Sequence, residues 1–139
     1  MAEALTSKSF LFELVSPECV LVSEEASMVV VPGDAGDFGV LAEHAPLLSS
    51  IRPGVVAVHS PSGAVKKIFV TGGFADVNGK LCSVLAEEAV NVGDLDRSQL
   101  EKSLQDMQDD LGIAGDDAVK KSNIQRDMEI VRAKLAAVQ

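Results

Sequence analysis

The chain has 139 residues, which suits one compact domain or one domain with an appendage. Its net charge of −9 and its pI near 4.6 argue against binding of nucleic acid and against docking on anionic lipid, because both need a basic surface. We see no apolar run long enough for a transmembrane helix, so no direct membrane insertion is expected. The opening residues MAEALTSKSF resemble neither a secretory signal nor a transit peptide, which predicts a cytoplasmic bacterial protein.

The chain up to about Asn91 has the pattern of many short β-strands. Apolar runs occur at Phe10–Val15, Cys19–Val22, Ala26–Val31, Leu47–Ile51, Val55–Ser60, Val65–Val70, Phe74–Val77 and Lys80–Leu85. We expect Ser23-Glu24-Glu25 to separate the second run from the third, and Asn78-Gly79 to form a type I′ hairpin turn. Short strands at roughly ten-residue spacing predict a β-sandwich or a β-barrel.

The segment Val29–Leu48, with the sequence VVVPGDAGDFGVLAEHAPLL, carries the most local information. Its prolines fix φ and its glycines admit positive φ, so it reads as a shaped turn rather than a flexible tether. Phe38 lies near its centre and is followed directly by Gly39. This large apolar side chain either closes the core or is presented to a partner, and the local sequence leaves both interpretations open.

From Val92 the spacing of apolar residues changes to that of helices. One face of a first helix would carry Leu100, Leu104, Met107 and Leu111, with Asp94 or Asp96 as its N-cap. Gly112 and Gly115 predict a break, and Asp116 is the expected cap of a second helix. A looser apolar stripe on that helix comprises Val119, Ile124, Met128, Val131, Leu135 and Val138. Two helices joined by a short loop predict an antiparallel αα-hairpin.

Groups that could carry out catalysis do not converge in this sequence. The only histidines are His44 and His59, and neither stands with Cys or carboxylates at metal-ligand spacing. The phosphate-binding glycine motif and the Gly-x-Ser-x-Gly motif are both missing from the sequence. Cys19 and Cys82 lie among apolar neighbours, so we expect two buried free thiols. The sequence therefore predicts no catalytic residue, no cofactor and no metal ligand, and favours an interaction protein.

Four pieces of the chain carry a family resemblance: VPGDAGDFGVLAEHAPLL, IRPGVV, VTGGFADV and VLAEEAV, in this order. Together they resemble the epsilon subunit of F-type ATP synthases, the subunit called delta in mitochondria. The resemblance covers Ser9 to about Arg97, and the helical tail agrees with it in architecture and length. It implies a β + α fold, with a ten-stranded β-sandwich in residues 1–91 and an antiparallel αα-hairpin in residues 92–139.

The resemblance also implies a role and a set of partners. The chain would be a non-catalytic subunit of the central stalk, peripheral on the cytoplasmic face of a bacterial inner membrane, which couples proton flow to ATP synthesis. Residues 1–91 would bind the gamma subunit and the ring of c subunits, and residues 92–139 would be regulatory. The expected c-ring interface comprises Asp34, Asp37, Phe38, His44, Pro46 and Leu47, with Asp37 facing basic loops of the ring.

In some members of the family the hairpin binds ATP through an Ile/Leu-Asp-x-x-Arg-Ala motif. The matching positions here are Leu95, Asp96, Gln99 and Leu100, so the arginine and the alanine are both replaced. Glutamine lacks the charged planar fork that suits phosphate, which argues against ATP binding.

An extended hairpin in the family can also enter the alpha/beta catalytic head and block hydrolysis. From Ala118 onward the chain carries five basic and two acidic side chains, which retains some capacity for this, but the first helix and the loop between the helices are acidic. We therefore expect a weak inhibitor of ATP hydrolysis or none.

Two other readings remain open beside the rotor subunit. The runner-up is a stand-alone small-molecule-binding β-domain whose helical hairpin acts as a lid. The third is a hydrolase that uses His44 and Asp37, which the lack of a nearby nucleophile disfavours.

Overall fold

The computed structural model describes residues 9–43 and 45–138. The chain folds into two compact units, one ending at Val90 and the other beginning at Asn91. The first unit holds β-strands 1–9 and all but the last residue of the tenth, and the second unit holds the two long helices. The expected ten-stranded β-sandwich followed by two helices is confirmed.

The strands are short and follow one another closely along the chain. They are β1 (Phe10–Val15), β2 (Val20–Ala26), β3 (Met28–Gly33), β4 (Gly36–Leu41), β5 (Leu47–Ile51), β6 (Gly54–His59), β7 (Val65–Val70), β8 (Gly73–Val77), β9 (Leu81–Ala86) and β10 (Ala89–Asn91). Their order in the sheet is β10-β7-β6-β3-β5-β8-β9-β1-β2, and β4 pairs with β3 beside this path. The pairing of β1 with β9 is parallel, whereas β1 and β2 are antiparallel.

Alternation of apolar and exposed side chains builds the core of the sandwich. In β1, Phe10, Phe12 and Leu14 are buried, and Leu11 between them is 38% exposed. Because successive side chains of a strand point to opposite faces, β1 and β9 each contribute every second residue to the interior. The largest fully buried side chains of the core cluster are Phe12, Leu14, Val29, Val31, Val40, Val56, Val58, Val70, Val77 and Val84.

Strand β2 corrects the prediction that Ser23-Glu24-Glu25 separates two strands. These three residues lie inside β2, and Ser27 separates β2 from β3. The position of β2 at one end of the sheet path explains this, since polar and charged side chains are well tolerated on an edge strand. Glu24 also forms an ion pair with Lys66 of β7 at 3.3 Å.

The segment Val29–Leu48, expected to be a shaped turn, contains an additional strand. It contains most of β3, then the two-residue turn Asp34-Ala35, all of β4, and the start of β5. Gly33 and Gly36 pair across the turn, and Val31 pairs with Phe38. Sequence patterning hid β4 because glycine occupies two of its six positions and is disfavoured in strands.

The prediction of a type I′ turn at Asn78-Gly79 is wrong, although β8 and β9 do form a hairpin. Neither residue has a positive φ, which both central positions of that turn require. The Asn78 N–H donates to the Leu81 carbonyl at 2.9 Å, so Gly79-Lys80 is the centre of the connection. The Asn78 side-chain oxygen accepts from the N–H groups of Lys80 and Leu81, each at 2.9 Å, and this side chain shapes the turn.

The second unit is a helical hairpin preceded by a 3-10 turn at Val92–Asp94. Helix α1 (Arg97–Ile113) is capped by Asp96, whose carboxylate accepts from the Ser98 N–H at 2.9 Å, as one of the two predicted caps would. Helix α2 (Ala118–Ala137) is capped by Asp117, so the expected cap Asp116 is wrong by one residue. Gly115, with φ of 62°, lies in the break between the helices.

The two helices fully bury only some of the apolar residues that were predicted to face inward. In α1 no residue is fully buried, and in α2 the buried residues are Met128 and Val131. Val119, expected on the apolar stripe of α2, is 72% exposed. In the described residues we find no helix both long and apolar enough to span a membrane.

The two cysteines differ in their surroundings. Cys82 is buried, and burial, with a smaller contribution from the charge of Asp76, raises the pKa of its thiol to about 12. Cys19 is exposed, which corrects the prediction that both thiols are buried. It lies in the turn before β2, where Ser16 and Cys19 share hydrogen bonds. A turn residue flanked by apolar sequence can still face solvent, because neighbours in sequence do not decide burial.

Candidate functional site

The turn between β3 and β4 is tied to the connection between β5 and β6, and we call residues 33–38 and 50–54 together the β3–β4 end. The Asp34 N–H donates to the Ser50 carbonyl at 3.0 Å, and the Arg52 N–H donates to the Pro32 carbonyl at 3.0 Å. Gly33 also pairs with Ile51 across the sheet. These bonds hold the turn against the neighbouring strand, so its side chains are presented in a fixed arrangement.

Phe38 is half-buried and packs against the hydrophobic core from β4. A Cβ atom placed on Gly33 would lie 2.9 Å from one ring carbon of Phe38, so the glycine makes room for the ring. The strand alternation turns Phe38 and Val40 toward the interior, and it leaves Asp37 and Leu41 exposed. Phe38 therefore closes this end of the core, and only part of its ring remains accessible to a partner.

Asp37 is held by a partner within the same chain. Its Oδ1 accepts from Arg52 Nη2 at 2.5 Å, and the same guanidinium donates through Nη1 to the Gly33 carbonyl at 3.1 Å. The side chains of Arg52 and Asp37 are 44% and 60% exposed, so solvent weakens this ion pair. Sequence reasoning missed Arg52, because its pairing with Asp37 depends on β5 lying beside β3.

The other predicted c-ring residues do not all lie at this end. Asp34 is exposed in the turn itself, next to Asp37 and Phe38. Pro46 and Leu47 lie at the opposite end of β5, roughly 13 Å from Ile51 at about 3.3 Å per residue. His44 lies outside the described residues. The structure thus brings Asp34, Asp37 and Phe38 together and separates them from Pro46 and Leu47.

An exposed apolar surface crosses the strands β5, β8, β9 and β1. We call it the outer apolar face and define it by Leu48, Phe74, Leu85 and Val15. Phe74 pairs with Leu85, and Leu85 pairs with Val15, so their side chains form a row across three strands. Leu48 is 71% exposed and Phe74 is 53% exposed. Leu48 lies opposite Asp76, and Val15 is half-buried, so the exposed apolar neighbours in the row are Phe74 and Leu85. Exposed apolar groups that lie side by side mark protein interaction surfaces.

The positions that match the family's ATP motif lie around the start of α1. The Asp96 carboxylate caps this helix, so it already accepts hydrogen bonds from the backbone. Gln99 is exposed, and the neighbouring Arg97 donates to Glu101 at 3.1 Å. These contacts give Asp96 and Arg97 local structural roles at the start of the helix.

A small-molecule-binding β-domain with a helical lid would need a ligand site on the sandwich. A shallow groove of about 390 Å³ lies there. Its lining residues are Ser9, Phe10, Leu11, Glu25, Ala42, Glu43, Gly79 and Lys80. Its charged side chains, Glu25, Glu43 and Lys80, are all exposed, so they would bind a ligand in competition with water. Over residues 9–43 and 45–138, we find no group of three His, Cys, Asp or Glu side chains that could hold a metal ion.

The fold has two parts, a ten-stranded sandwich and a two-helix hairpin. The sandwich carries the outer apolar face and, at the β3–β4 end, an acidic turn held by hydrogen bonds. These features define a two-part interaction subunit. Comparison with known proteins identifies the family. The model described as "ATP synthase, Delta/Epsilon chain, beta-sandwich domain" matches residues 9–92. The chain belongs to this delta/epsilon family, and it is therefore a non-catalytic subunit of the ATP synthase complex.

Named relatives agree with this family. An ATP synthase epsilon chain from Mesorhizobium japonicum is 46% identical over 114 residues, which is 82% of this chain and 84% of the relative. An ATP synthase epsilon chain from Rhodospirillum rubrum is 46% identical over 126 residues, covering 91% of this chain and 93% of the relative.

Solved structures agree in fold. A chain in the Euglena gracilis mitochondrial ATP synthase (OSCP/F1/c-ring, rotational state 1) has a TM-score of 0.86 at 22% identity, covering 95% of this chain and 82% of that one. A chain in the Tetrahymena thermophila mitochondrial ATP synthase central stalk and c-ring has a TM-score of 0.67 at 14% identity, covering 94% and 96%. At these identities the likeness concerns the fold alone.

Proposed function

We propose that this chain links the gamma subunit to the c ring in the central stalk and so couples proton flow to ATP synthesis. The observation that carries the proposal is the family match over residues 9–92, which spans the whole sandwich. The bacterial relatives are epsilon chains, and the similar solved chains belong to complexes that contain the c ring or the central stalk. The proposed location is the cytoplasmic face of a bacterial inner membrane, with the chain bound peripherally.

The outer apolar face is the proposed gamma-binding surface. Its row of Phe74, Leu85 and Val15 lies on three hydrogen-bonded strands, so the surface is rigid before binding. A rigid surface loses little conformational entropy on association, and a central aromatic side chain commonly contributes a large share of interface energy. This makes Phe74 the principal candidate for contact with gamma.

The β3–β4 end is the proposed c-ring-facing surface. Asp34, Asp37 and the exposed part of Phe38 lie there on a braced turn. Pro46 and Leu47, at the other end of β5, are proposed as a second, separate part of the c-ring interface, and His44 is proposed as a further contact. An interface that transmits torque has to resist shear, and backbone bonds between the turn and β5 supply that stiffness.

Affinity capture with the full chain tests this function. The native chain should recover gamma and c subunits from solubilised membranes. Phe74→Asp should reduce gamma recovery at least tenfold, because it buries an unpaired carboxylate in the interface. Val65→Asp is the matched control, since Val65 is 47% exposed on β7, away from the outer apolar face. Recovery of neither subunit by the native chain would refute the proposed function, and equal recovery by both variants would refute the gamma surface.

The hairpin, residues 92–139, is the proposed regulatory part, with weak inhibition of ATP hydrolysis or none. Its α2 carries Lys120, Lys121, Arg126, Arg132 and Lys134, which suit an acidic surface of the catalytic head. The acidic residues Asp106, Asp109 and Asp110 of α1 oppose this, because they would meet the same surface. Hydrolysis by the head should therefore differ by less than about twofold between the full chain and a chain truncated at Val92. Strong inhibition released by truncation would contradict this proposal.

A further inference from the structure

We propose that Arg52 is a positioning residue that clamps the β3–β4 turn and neutralises Asp37, which leaves Asp34 as the acidic group offered to a basic partner. The inference deepens the proposed function and rests on it, since it concerns the surface assigned to the c ring. It changes the role expected of Asp37 from that of a direct contact to that of an intramolecular partner.

Arg52 makes three contacts that span the turn. Its N–H donates to the Pro32 carbonyl at 3.0 Å, its Nη1 donates to the Gly33 carbonyl at 3.1 Å, and its Nη2 donates to Asp37 Oδ1 at 2.5 Å. A planar guanidinium with several fixed donors can bind a carbonyl and a carboxylate at once, which an ammonium group does less well. Arg52 thereby ties both strands of the β3–β4 hairpin to the β5–β6 connection.

The charges at this end follow from these contacts. Arg52 and Asp37 form an ion pair, so together they present almost no net charge to an approaching surface. The Asp34 carboxylate is exposed at the turn and makes no ion pair with any residue of the described chain. Its backbone N–H donates to the Ser50 carbonyl, which fixes the position from which the side chain projects. The unbalanced negative charge of the β3–β4 end is that of Asp34.

Amide hydrogen exchange on the full chain tests the clamp without any partner. Arg52→Gln should speed exchange of the Asp34 N–H about fivefold, because one ion pair and one side-chain hydrogen bond are lost. Arg52→Lys should show a smaller increase. The Asn78 N–H, which donates within the other hairpin, is the internal control and should not change. Equal exchange of the Asp34 N–H in native chain and Arg52→Gln would overturn the clamp.

The charge assignment is tested by adding the full chain to ATP synthase depleted of this subunit and measuring the concentration that restores half of the ATP-driven proton pumping. Asp34→Asn should raise this concentration at least threefold, with the difference shrinking at high salt. Asp37→Asn should also raise it, because it exposes the Arg52 cation. The double variant Asp37→Asn/Arg52→Gln should return close to the native value, since both partners of the pair are then removed.

The outcomes separate the inference from the function on which it rests. A double variant as weak as Asp37→Asn alone would show that Asp37 itself contacts the partner, and it would overturn the inference. Native behaviour of every variant, including Asp34→Asn, would refute the assignment of this end to the c ring. The exchange measurement on the isolated chain decides the clamp in either case.

Discussion

Gly73 gives the sharpest test of the packing between β8 and β9. Its φ is 141°, and a Cβ atom at this position would lie 1.8 Å from the Leu85 carbonyl oxygen and 2.9 Å from the carbonyl carbon. Substitution by alanine therefore combines backbone strain of about 1–3 kcal/mol with an overlap that only a shift of the β9 backbone can relieve. We expect Gly73→Ala to lower the free energy of unfolding by more than about 4 kcal/mol, which is exceptional for one residue.

Gly36→Ala is the matched control for this prediction. Gly36 has φ of 133°, and nothing lies within 4 Å of its would-be Cβ atom, so its substitution carries the backbone strain without the overlap. We expect it to cost about 1–3 kcal/mol. The difference between the two variants isolates the close approach of the Leu85 carbonyl.

Urea unfolding of the full chain is the appropriate measurement. The sequence has no Trp or Tyr for fluorescence, so the transition is best followed through NMR signals of sheet amides. If Gly73→Ala and Gly36→Ala differ by less than about 1 kcal/mol, the close approach of β9 to β8 is refuted. A changed slope with urea in either variant would instead signal a change in the surface exposed on unfolding.

Other predictions concern caps, thiols and the hairpin. Asp117→Ala should destabilise α2 by about 1 kcal/mol, whereas Asp116→Ala should have little effect, as thermal melting of the helical signal would show. Folding raises the pKa of the Cys82 thiol from its ordinary value of 9.0 to about 12, so the free energy of unfolding should fall as pH rises from about 9 to 12. Cys82→Ser should remove this part of the pH dependence, which urea titrations at several pH values would measure. Iodoacetamide at pH 8 should alkylate Cys19 and spare Cys82 in the native chain, which peptide mass spectrometry would detect. Gly112→Ala should stabilise α1 by up to about 1 kcal/mol, since nothing lies within 4 Å of the added Cβ atom, and a lower melting temperature would contradict this.

The elements that sequence predicted well are those whose signal is local. The alternation in Phe10–Val15 gave a strand with matching bounds, and the three-to-four spacing from Leu100 to Leu111 placed the first helix. Strand β4 was not predicted, because its two glycines interrupt the alternation of apolar and polar residues that marks a strand. The one-residue error at Asp116 arose because adjacent acidic residues give equivalent cap signals, and only the backbone path selects one of them.

The candidate site was predictable only in its composition. Sequence singled out Asp34, Asp37 and Phe38, but it did not give the partner of Asp37 or the inward packing of Phe38. It also grouped them with Pro46 and Leu47, which lie at the other end of β5. These relations depend on which strands are neighbours, and no local pattern encodes that.

The amino-acid sequence by itself determined the two-part architecture, the position of the change from strands to helices, and the family, because periodicity and motif spacing are properties of the chain alone. Tertiary structure decided that Arg52 meets Asp37, that Glu24 meets Lys66, and that Cys19 is exposed while Cys82 is buried. Both ion pairs join residues that are distant in sequence. Sheet order and register bring them together, and both are fixed by burial of the whole core rather than by any one segment.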